Sequence, residues 1–515
     1  MYDYVIVGAG SAGCVIAARL SEDPDVKVCL IEAGPADTHE NVHVPAAFGK
    51  LFRSQLDWDF NTHDEPHLLR RRIYLPRGRV LGGSSSMNAM VYMRGHRVDY
   101  DGWNQPGWSY DELLPYFKRS EDNERGADEY HGVGGPLAVS DGRSNNPMSA
   151  AWVDAAVQAG YKPNDDFNGA EQDGFGFYQV TQRDGKRCST AAGFLRPAIE
   201  RPNLTVETNL YVHRVRFEGD RAVGVIGHRL DEMVEIRAQR EVILSAGAYN
   251  SPQLLMLSGV GPAQLLTALD IPVVLDQPQV GQNLQDHPQT PLVYTHSHPI
   301  SLLTAGAPEN VALYVEQGRG PLASNGPEVG GFVRTQPGLP APDLQFHTAP
   351  FMFVDGGLAP PTEHAISWGG CVLTPQSRGF VSLGSGDPTA KPMIVHNYFA
   401  EEADMQVAVA GLRIGLEIAR QAALAPFTEN AFQPPESDSE ADLRQHVRRY
   451  SQTLYHPAGT CAMGTVVDAE LRVLGVDGLR VVDTSVMPTV VRGNTNAPAI
   501  VIAEKAADLV HGAGN

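Results

Sequence analysis

The first 33 residues constrain this chain more than any other stretch. An apolar run, Tyr2–Val7, leads directly into Gly8-Ala9-Gly10-Ser11-Ala12-Gly13. Residues 14–20 have helical composition, and a second apolar run over 26–31 ends in Glu32 and Ala33. Strand, G-x-G-x-x-G turn, helix, strand and acid in that order form a dinucleotide-binding βαβ unit. Gly8 permits the tight turn. Gly10 lets backbone N–H groups reach a pyrophosphate at the helix start, where Ser11 and Ala12 sit, and Gly13 lets helix and strand pack closely. Glu32 is spaced to accept hydrogen bonds from a ribose diol, and its charge repels a 2′-phosphate. The unit implies an ADP-containing cofactor without separating NAD from FAD.

At 515 residues the chain has room for two to four domains. A formal charge of -20 argues against nucleic acid and anionic membranes as partners. No apolar run approaches the roughly 20 residues of a membrane span. The five cysteines (14, 29, 188, 371 and 461) are odd in number and form no C-x-x-C pair. They read as reduced thiols in a cytoplasmic protein, with no secretory pattern ahead of the first strand and no metal site expected.

Patterning along the chain predicts an α/β protein built around two sheets. An amphipathic helix is expected between 101 and 120, carrying Trp103, Leu113, Leu114, Tyr116 and Phe117. Residues 204–208 and 223–226 read as antiparallel strands, and 242–248 as a buried strand. Residues 251–257 read as a helix with Ser251-Pro252 at its start. From about 288 the composition turns to Thr, Val, aromatics and Pro, consistent with a second, mostly antiparallel sheet that includes 344–348 and 379–383. The expected organisation is a cofactor domain over 1–287, with part of 150–200 on the substrate side. A substrate domain over 288–450 follows, and 451–515 return to the first domain, ending in a helix over 497–510.

Four further segments carry a family resemblance. Residues 78–101, with Gly82-Gly83-Ser84-Ser85, resemble the first glycine/serine signature of the glucose–methanol–choline (GMC) oxidoreductases. Residues 247–261 resemble the second, and Tyr455-His456-Pro457-Ala458-Gly459-Thr460 the catalytic-histidine segment. Residues 482–488 and 493–496 resemble the C-terminal segment. The matches stand in family order over nearly the whole chain. The resemblance implies a Rossmann-like FAD domain with a separate antiparallel-sheet substrate domain. It also places Asn88 and Ala89, with Met90 and Val91 beyond them, against the flavin ring. The backbone of Val212 is expected at the adenine, and Ala246, Gly247 and Asp483 complete the cofactor site, joined by Gly82, Gly83, Ser85, Asn494 and Asn496. Some relatives link FAD covalently through a histidine just before the counterpart of Asn88. Met87 stands there, so dissociable, non-covalent FAD is expected.

The expected chemistry is oxidation of a primary alcohol, aromatic or aliphatic, by hydride transfer to flavin N5. His456 serves as general base, because imidazole titrates near neutrality. Asn494 donates to the developing alkoxide and cannot itself act as a base; Asn496, two residues on, is the competing assignment. Substrate contacts are expected from Trp58, Glu328, Phe346, His347, Phe351 and Tyr455, although each aromatic can equally be core. Glu328 with aromatics suggests choline as the alternative substrate. A redox-silent, hydroxynitrile lyase-like flavoprotein is the alternative of another class. The electron acceptor is left between oxygen and a quinone or other carrier.

Overall fold

The computed structural model describes residues 1–512. Its first sheet has seven strands. Leu204–Glu207, Val28–Ile31, Tyr2–Val7 and Glu232–Leu244 lie side by side, with Leu479–Val481 beyond them, all parallel. Glu232–Leu244 is 13 residues long and serves two environments. Its C-terminal part is buried in the parallel sheet. Its N-terminal part leaves that sheet as one edge of an antiparallel meander with Arg221–Arg229 and Tyr211–Glu218. Residues 204–208 were expected to pair antiparallel, yet Leu204–Glu207 aligns parallel with Val28–Ile31. Alternation reports a half-buried strand and not its direction.

The helix Ser11–Leu20 follows the first strand. A Cβ on Gly13 would lie 1.9 Å from the Gly8 carbonyl oxygen, so glycine there allows the helix to touch its strand. The last helix, Asn496–Gly512, packs on Ser11–Leu20. Its fully buried Glu504 receives Arg19 Nε at 2.9 Å and Arg119 Nε at 2.8 Å. These paired hydrogen bonds join the two ends of the chain to the helix Tyr110–Ser120 and satisfy a carboxylate that burial would otherwise penalise.

The second sheet is antiparallel, in the order Asn430–Phe432, Pro288–Thr295, Ala365–Val372, Leu344–Ala349, Val329–Val333 and Gly174–Phe177. Gln452–Thr453 pairs with the start of Pro288–Thr295. The helix Glu402–Ala419 covers one face. It approaches closely through glycine: a Cβ on Gly415 would lie 2.9 Å from Leu292 Cδ1 and 3.1 Å from Trp368 Nε1. Phe380–Ser382 does not join this sheet but pairs with Met393–Val395.

Two helices differ from expectation. The helix expected between 101 and 120 is two, Arg97–Gly102 and Tyr110–Ser120, with Pro106-Gly107 in the break between them. Trp103 lies in that break, its indole N–H donating to the Thr489 carbonyl at 2.9 Å. The helix expected at 251–257 instead begins at Gly247, so Pro252 is interior. Pro252 has no N–H for the Ala248 carbonyl, and the Thr460 hydroxyl donates to that oxygen at 2.7 Å. No described helix is long and apolar enough to cross a membrane.

Candidate active site

One cavity runs from the turn after the first strand to the second sheet. Gly8, Gly10, Ser11, Ala12, Glu32 and Ala33 line it at one end, with Val212, Ala246 and Gly247. Gly83, Asn88, Ala89, Met90, Val91, Asp483 and Asn496 also line it. His456, Asn494, His347, Phe351 and Tyr455 share the same space.

The dinucleotide end fits the group its motif implies. Ser11 and Ala12 stand in the first helical turn, whose N–H groups have no intrahelical acceptor. A Cβ on Gly10 would meet no atom of the protein outside its own neighbours nearer than 3.9 Å, and one on Gly247 none within 4 Å. Glu32 is buried, and its two oxygens accept from the N–H groups of Ala9 at 3.0 Å and Gly34 at 2.8 Å. Burial pushes its carboxyl up to about 7 against those bonds. Asp483 organises the second turn, its Oδ2 accepting from Gly247 N–H at 2.9 Å and Ser251 Oγ at 2.6 Å.

The glycine/serine loop holds the turn more than it faces the cavity. Gly82, Gly83 and Ser85 already donate their N–H groups to the carbonyls of Ala9, Val80 and Gly82. Ser85 Oγ donates to Gly82 O at 2.6 Å and accepts from Thr190 N–H at 3.0 Å. Gly13, Gly82 and Ser85, expected at the cofactor, therefore stand outside the cavity wall as packing residues. Met87 lines the cavity and packs with Val42, Leu51, Leu56, Val80 and Phe52.

At the other end two chain segments bring His456 and Asn494 together, with 3.2 Å between His456 Nε2 and Asn494 Nδ2. Gln345 Nε2 donates to Asn494 Oδ1 at 3.2 Å, which turns the amide NH2 toward His456. Asn496 does not join them; its Oδ1 accepts from Ser11 Oγ at 2.7 Å at the start of the last helix. Behind His456 stands His287, with 3.0 Å between the two Nδ1 atoms. His287 Nε2 lies 3.1 Å from the Leu373 carbonyl, which can only accept. In neutral His287 the proton is therefore on Nε2 and Nδ1 is an acceptor, so His456 must donate from Nδ1. That leaves the lone pair of His456 on Nε2, facing Asn494 and the cavity.

The electrostatics keep this pair uncharged. Burial, then His287 and His347, hold His456 well below its ordinary 6.5. His287 and His347 are each pulled down to about 4, chiefly by burial. Asp286 ties the two histidines together through their backbones, its Oδ1 accepting from the main-chain N–H of His456 at 2.8 Å and of His287 at 2.9 Å. Tyr455, just before His456, has φ +70°, a strained value for a side-chain-bearing residue. It is held by Thr453 Oγ1 on its N–H at 2.7 Å and by Arg77 Nη2 on its carbonyl at 2.8 Å.

Sequence models of GMC oxidoreductases match residues 2–289 and 375–503. The chain belongs to the GMC oxidoreductase family. GMC oxidoreductases are FAD flavoproteins. The chain is 45% identical to mitochondrial choline dehydrogenase of Mus musculus, covering 99% of this chain and 89% of that one. It is 44% identical to an alcohol dehydrogenase [acceptor] of Pseudomonas putida, over 99% and 96%. Among solved structures, pyridoxine 4-oxidase from Mesorbium loti superposes with a TM-score of 0.90 at 32% identity, over 99% of each chain.

Within this GMC site the expected substrate contacts divide. His347, Phe351 and Tyr455 line the cavity. Phe48 and Phe52, which sequence reading did not single out, join them: Phe48 meets Phe351 at 6.5 Å and Phe52 meets Tyr455 at 6.3 Å between ring centres. Trp58 lines the cavity too, but its ring contacts are Phe60, Tyr211 and the Arg79 guanidinium. Phe346 is a correction: strand alternation turns it to the opposite face, where it is fully buried against Trp152 and Phe175. Glu328 is another. It is buried outside the cavity wall, accepting from Ser149 Oγ and Ser324 Oγ, each at 2.6 Å.

Proposed function

We propose that this chain oxidises a neutral primary alcohol, aromatic or aliphatic, to the aldehyde, with non-covalently bound FAD as the electron acceptor. The observation that carries the reading is the His456–Asn494 pair, set in one cavity with the dinucleotide motif. Bound flavin accepts a hydride, and with it two electrons, from the carbinol carbon. The substrate hydroxyl can sit against both His456 Nε2 and Asn494 Nδ2 from the cavity side, in place of their contact with each other. His456 takes the hydroxyl proton on Nε2, and Asn494 donates to the oxygen as charge develops there. The aromatic set Phe48, Phe52, Phe351 and Tyr455 holds the apolar part of the alcohol and excludes water.

We assign 1–287 and 451–515 to FAD and the catalytic pair, with part of 150–200 on the substrate side, and 288–450 to the substrate side, where they contribute His347 and Phe351; Phe48, Phe52 and Tyr455 bring the first domain into the substrate wall as well. Choline is the second reading, favoured by the 45% identity to a choline dehydrogenase. The charge of the wall favours a neutral alcohol instead. Its acidic residues, Glu32 and Asp483, both carry backbone N–H bonds at the cofactor end, and Arg77 adds a positive charge. Five buried, unpaired cysteines fit a reducing compartment such as the cytoplasm.

The test is anaerobic mixing of the purified flavoprotein with benzylic, aliphatic and quaternary-ammonium alcohols while the flavin absorbance is followed. Bleaching by neutral alcohols supports the reading, and saturable preference for choline replaces it with the second. No bleaching by any of them points to the redox-silent class. Adding oxygen or a quinone to the bleached enzyme then identifies the reoxidant. Because Met87 offers no attachment, acid or heat denaturation should release all the flavin into the supernatant; yellow precipitated protein would contradict non-covalent binding.

A further inference from the structure

Arg187 is a buried cation without a counter-ion. It is 4% exposed, on the short strand Lys186–Arg187. Its Nε donates to the Val42 carbonyl at 2.7 Å. Its Nη1 donates to the carbonyls of Ser85 at 3.1 Å and Asn88 at 2.7 Å, and to Asn88 Oδ1 at 2.8 Å. Its Nη2 is buried with no acceptor among the described residues. Every partner is neutral and none titrates. The other deeply buried guanidiniums differ: Arg94 faces Glu121 at 2.6 Å and Arg480 faces Glu241 at 2.6 Å. Burial pulls the Arg187 guanidinium down to about 9 with no neighbouring charge opposing it, which still leaves it protonated at neutral pH. An unpaired buried charge is costly, and folding alone offers no reason to keep one.

Its position offers a reason. The loop that Arg187 clamps ends at Asn88, and Asn88 lines the cavity. Met90 N–H also donates to Asn88 Oδ1, at 3.1 Å. With its oxygen held twice, the Asn88 amide keeps its NH2 group as the free end. Arg187 thus stands directly behind the wall that carries Asn88 and Ala89, the residues expected against the flavin ring.

We propose that Arg187 is a positioning residue whose uncompensated charge, fixed behind Asn88, raises the affinity of the bound flavin for electrons. This rests on FAD occupying the cavity as proposed above. Hydride arrival brings two electrons into the ring, while the hydroxyl proton goes to His456. Arg187 exchanges neither electrons nor protons. A fixed cation in a low-dielectric wall favours the more negative, reduced ring over the oxidised one. The carbonyls of Val42, Ser85 and Asn88 hold it in place, so the charge need not reorganise during the reaction.

The experiment is the two-electron midpoint potential of the holoenzyme, by equilibration with reference dyes, for wild type, Arg187→Gln and Arg187→Lys between pH 6 and 10. Arg187→Gln should fall by about 30 mV or more, the tenfold change in the reduction equilibrium of a two-electron couple. Arg187→Lys should match wild type at pH 6 and drop below it between pH 6 and 8, where a buried ammonium loses its proton while the guanidinium, at about 9, keeps it; toward pH 10 the two should converge. If Arg187→Gln does not fold as a flavoprotein, the lysine series decides alone. Potentials equal to wild type at every pH, in whichever variants fold, overturn the proposal. A wild-type protein that binds no FAD fails at the earlier step, the proposed function, and is told apart by its absorbance spectrum.

Discussion

Replacing His287 with leucine tests the tautomer argument directly. In the wild type, His287 Nδ1 accepts from His456 Nδ1 at 3.0 Å, and this bond keeps the His456 lone pair on Nε2. Leucine leaves the His456 Nδ1–H buried without an acceptor, which costs about 1–3 kcal/mol in the productive tautomer. The proton then favours Nε2, where it blocks proton abstraction. At RT of about 0.59 kcal/mol that bias lowers the productive fraction, and so the rate of flavin reduction, by about 5- to 150-fold. The assay is anaerobic stopped-flow reduction by a saturating alcohol, with circular dichroism and flavin content to show that the fold is intact. His287→Gln supplies the control. Its amide can donate to the Leu373 carbonyl and accept from His456, the same polarity as the imidazole, so it should recover most of the rate. His287→Leu reducing within twofold of wild type would refute the reasoning. Equal losses in Leu and Gln would show that bulk and packing matter, not the direction of the hydrogen bond.

The remaining predictions concern groups in or beside the same cavity. His456→Ala should lower turnover by roughly 10²–10⁴-fold, the range for a general base, and Asn494→Ala by about 10²-fold, near that of one oxyanion donor; steady-state kinetics on a benzylic alcohol measure both. His456 must be neutral to act, and its surroundings hold it well below 6.5. Activity is therefore lost only as pH falls through that depressed value, and kcat/KM for flavin reduction should be flat from pH 6.5 to 8.5. An acid limb centred near 7 would show that burial and the neighbouring imidazoles do not hold the base down, and would refute this assignment. Glu328→Gln should leave the ratio of choline to benzyl alcohol turnover unchanged, because its carboxylate is held by Ser149 and Ser324 outside the cavity; a drop in choline turnover alone would return Glu328 to the substrate.

The parts of this site legible in the sequence are those made by neighbours in the chain. The turn from Gly8 to Gly13 carries its own geometry, since the glycines that form it and the helix start that uses it lie within a few residues. Asn494 and Asn496 show where that ends. Two residues apart, both offer an amide, and composition cannot choose between them. The fold chooses by setting Gln345 against one and Ser11 against the other. Phe346 and His347 divide similarly. Alternation shows that they face opposite sides, but only the packing of Trp152 and Phe175 shows which side is core.

Residues that act through other residues leave the weakest trace in the sequence, for a physical reason. His287 and Arg187 touch no cofactor or substrate surface, and their partners lie about 170 and 100 positions away. Asp286-His287 does leave one signal: two ionisable residues at the entrance to the mostly buried strand Pro288–Thr295, where burial penalises charge. Arg187 leaves a comparable one, a cation followed by Cys188 and a small-residue stretch that becomes buried. Both are polar groups that burial penalises, and each is offset by bonds to a loop of the site. His287 sets which nitrogen of His456 is basic. Arg187 fixes the carbonyls behind Asn88. A buried polar group bonded to a loop or side chain of the site is therefore the feature to seek when the lining residues alone leave a mechanism incomplete.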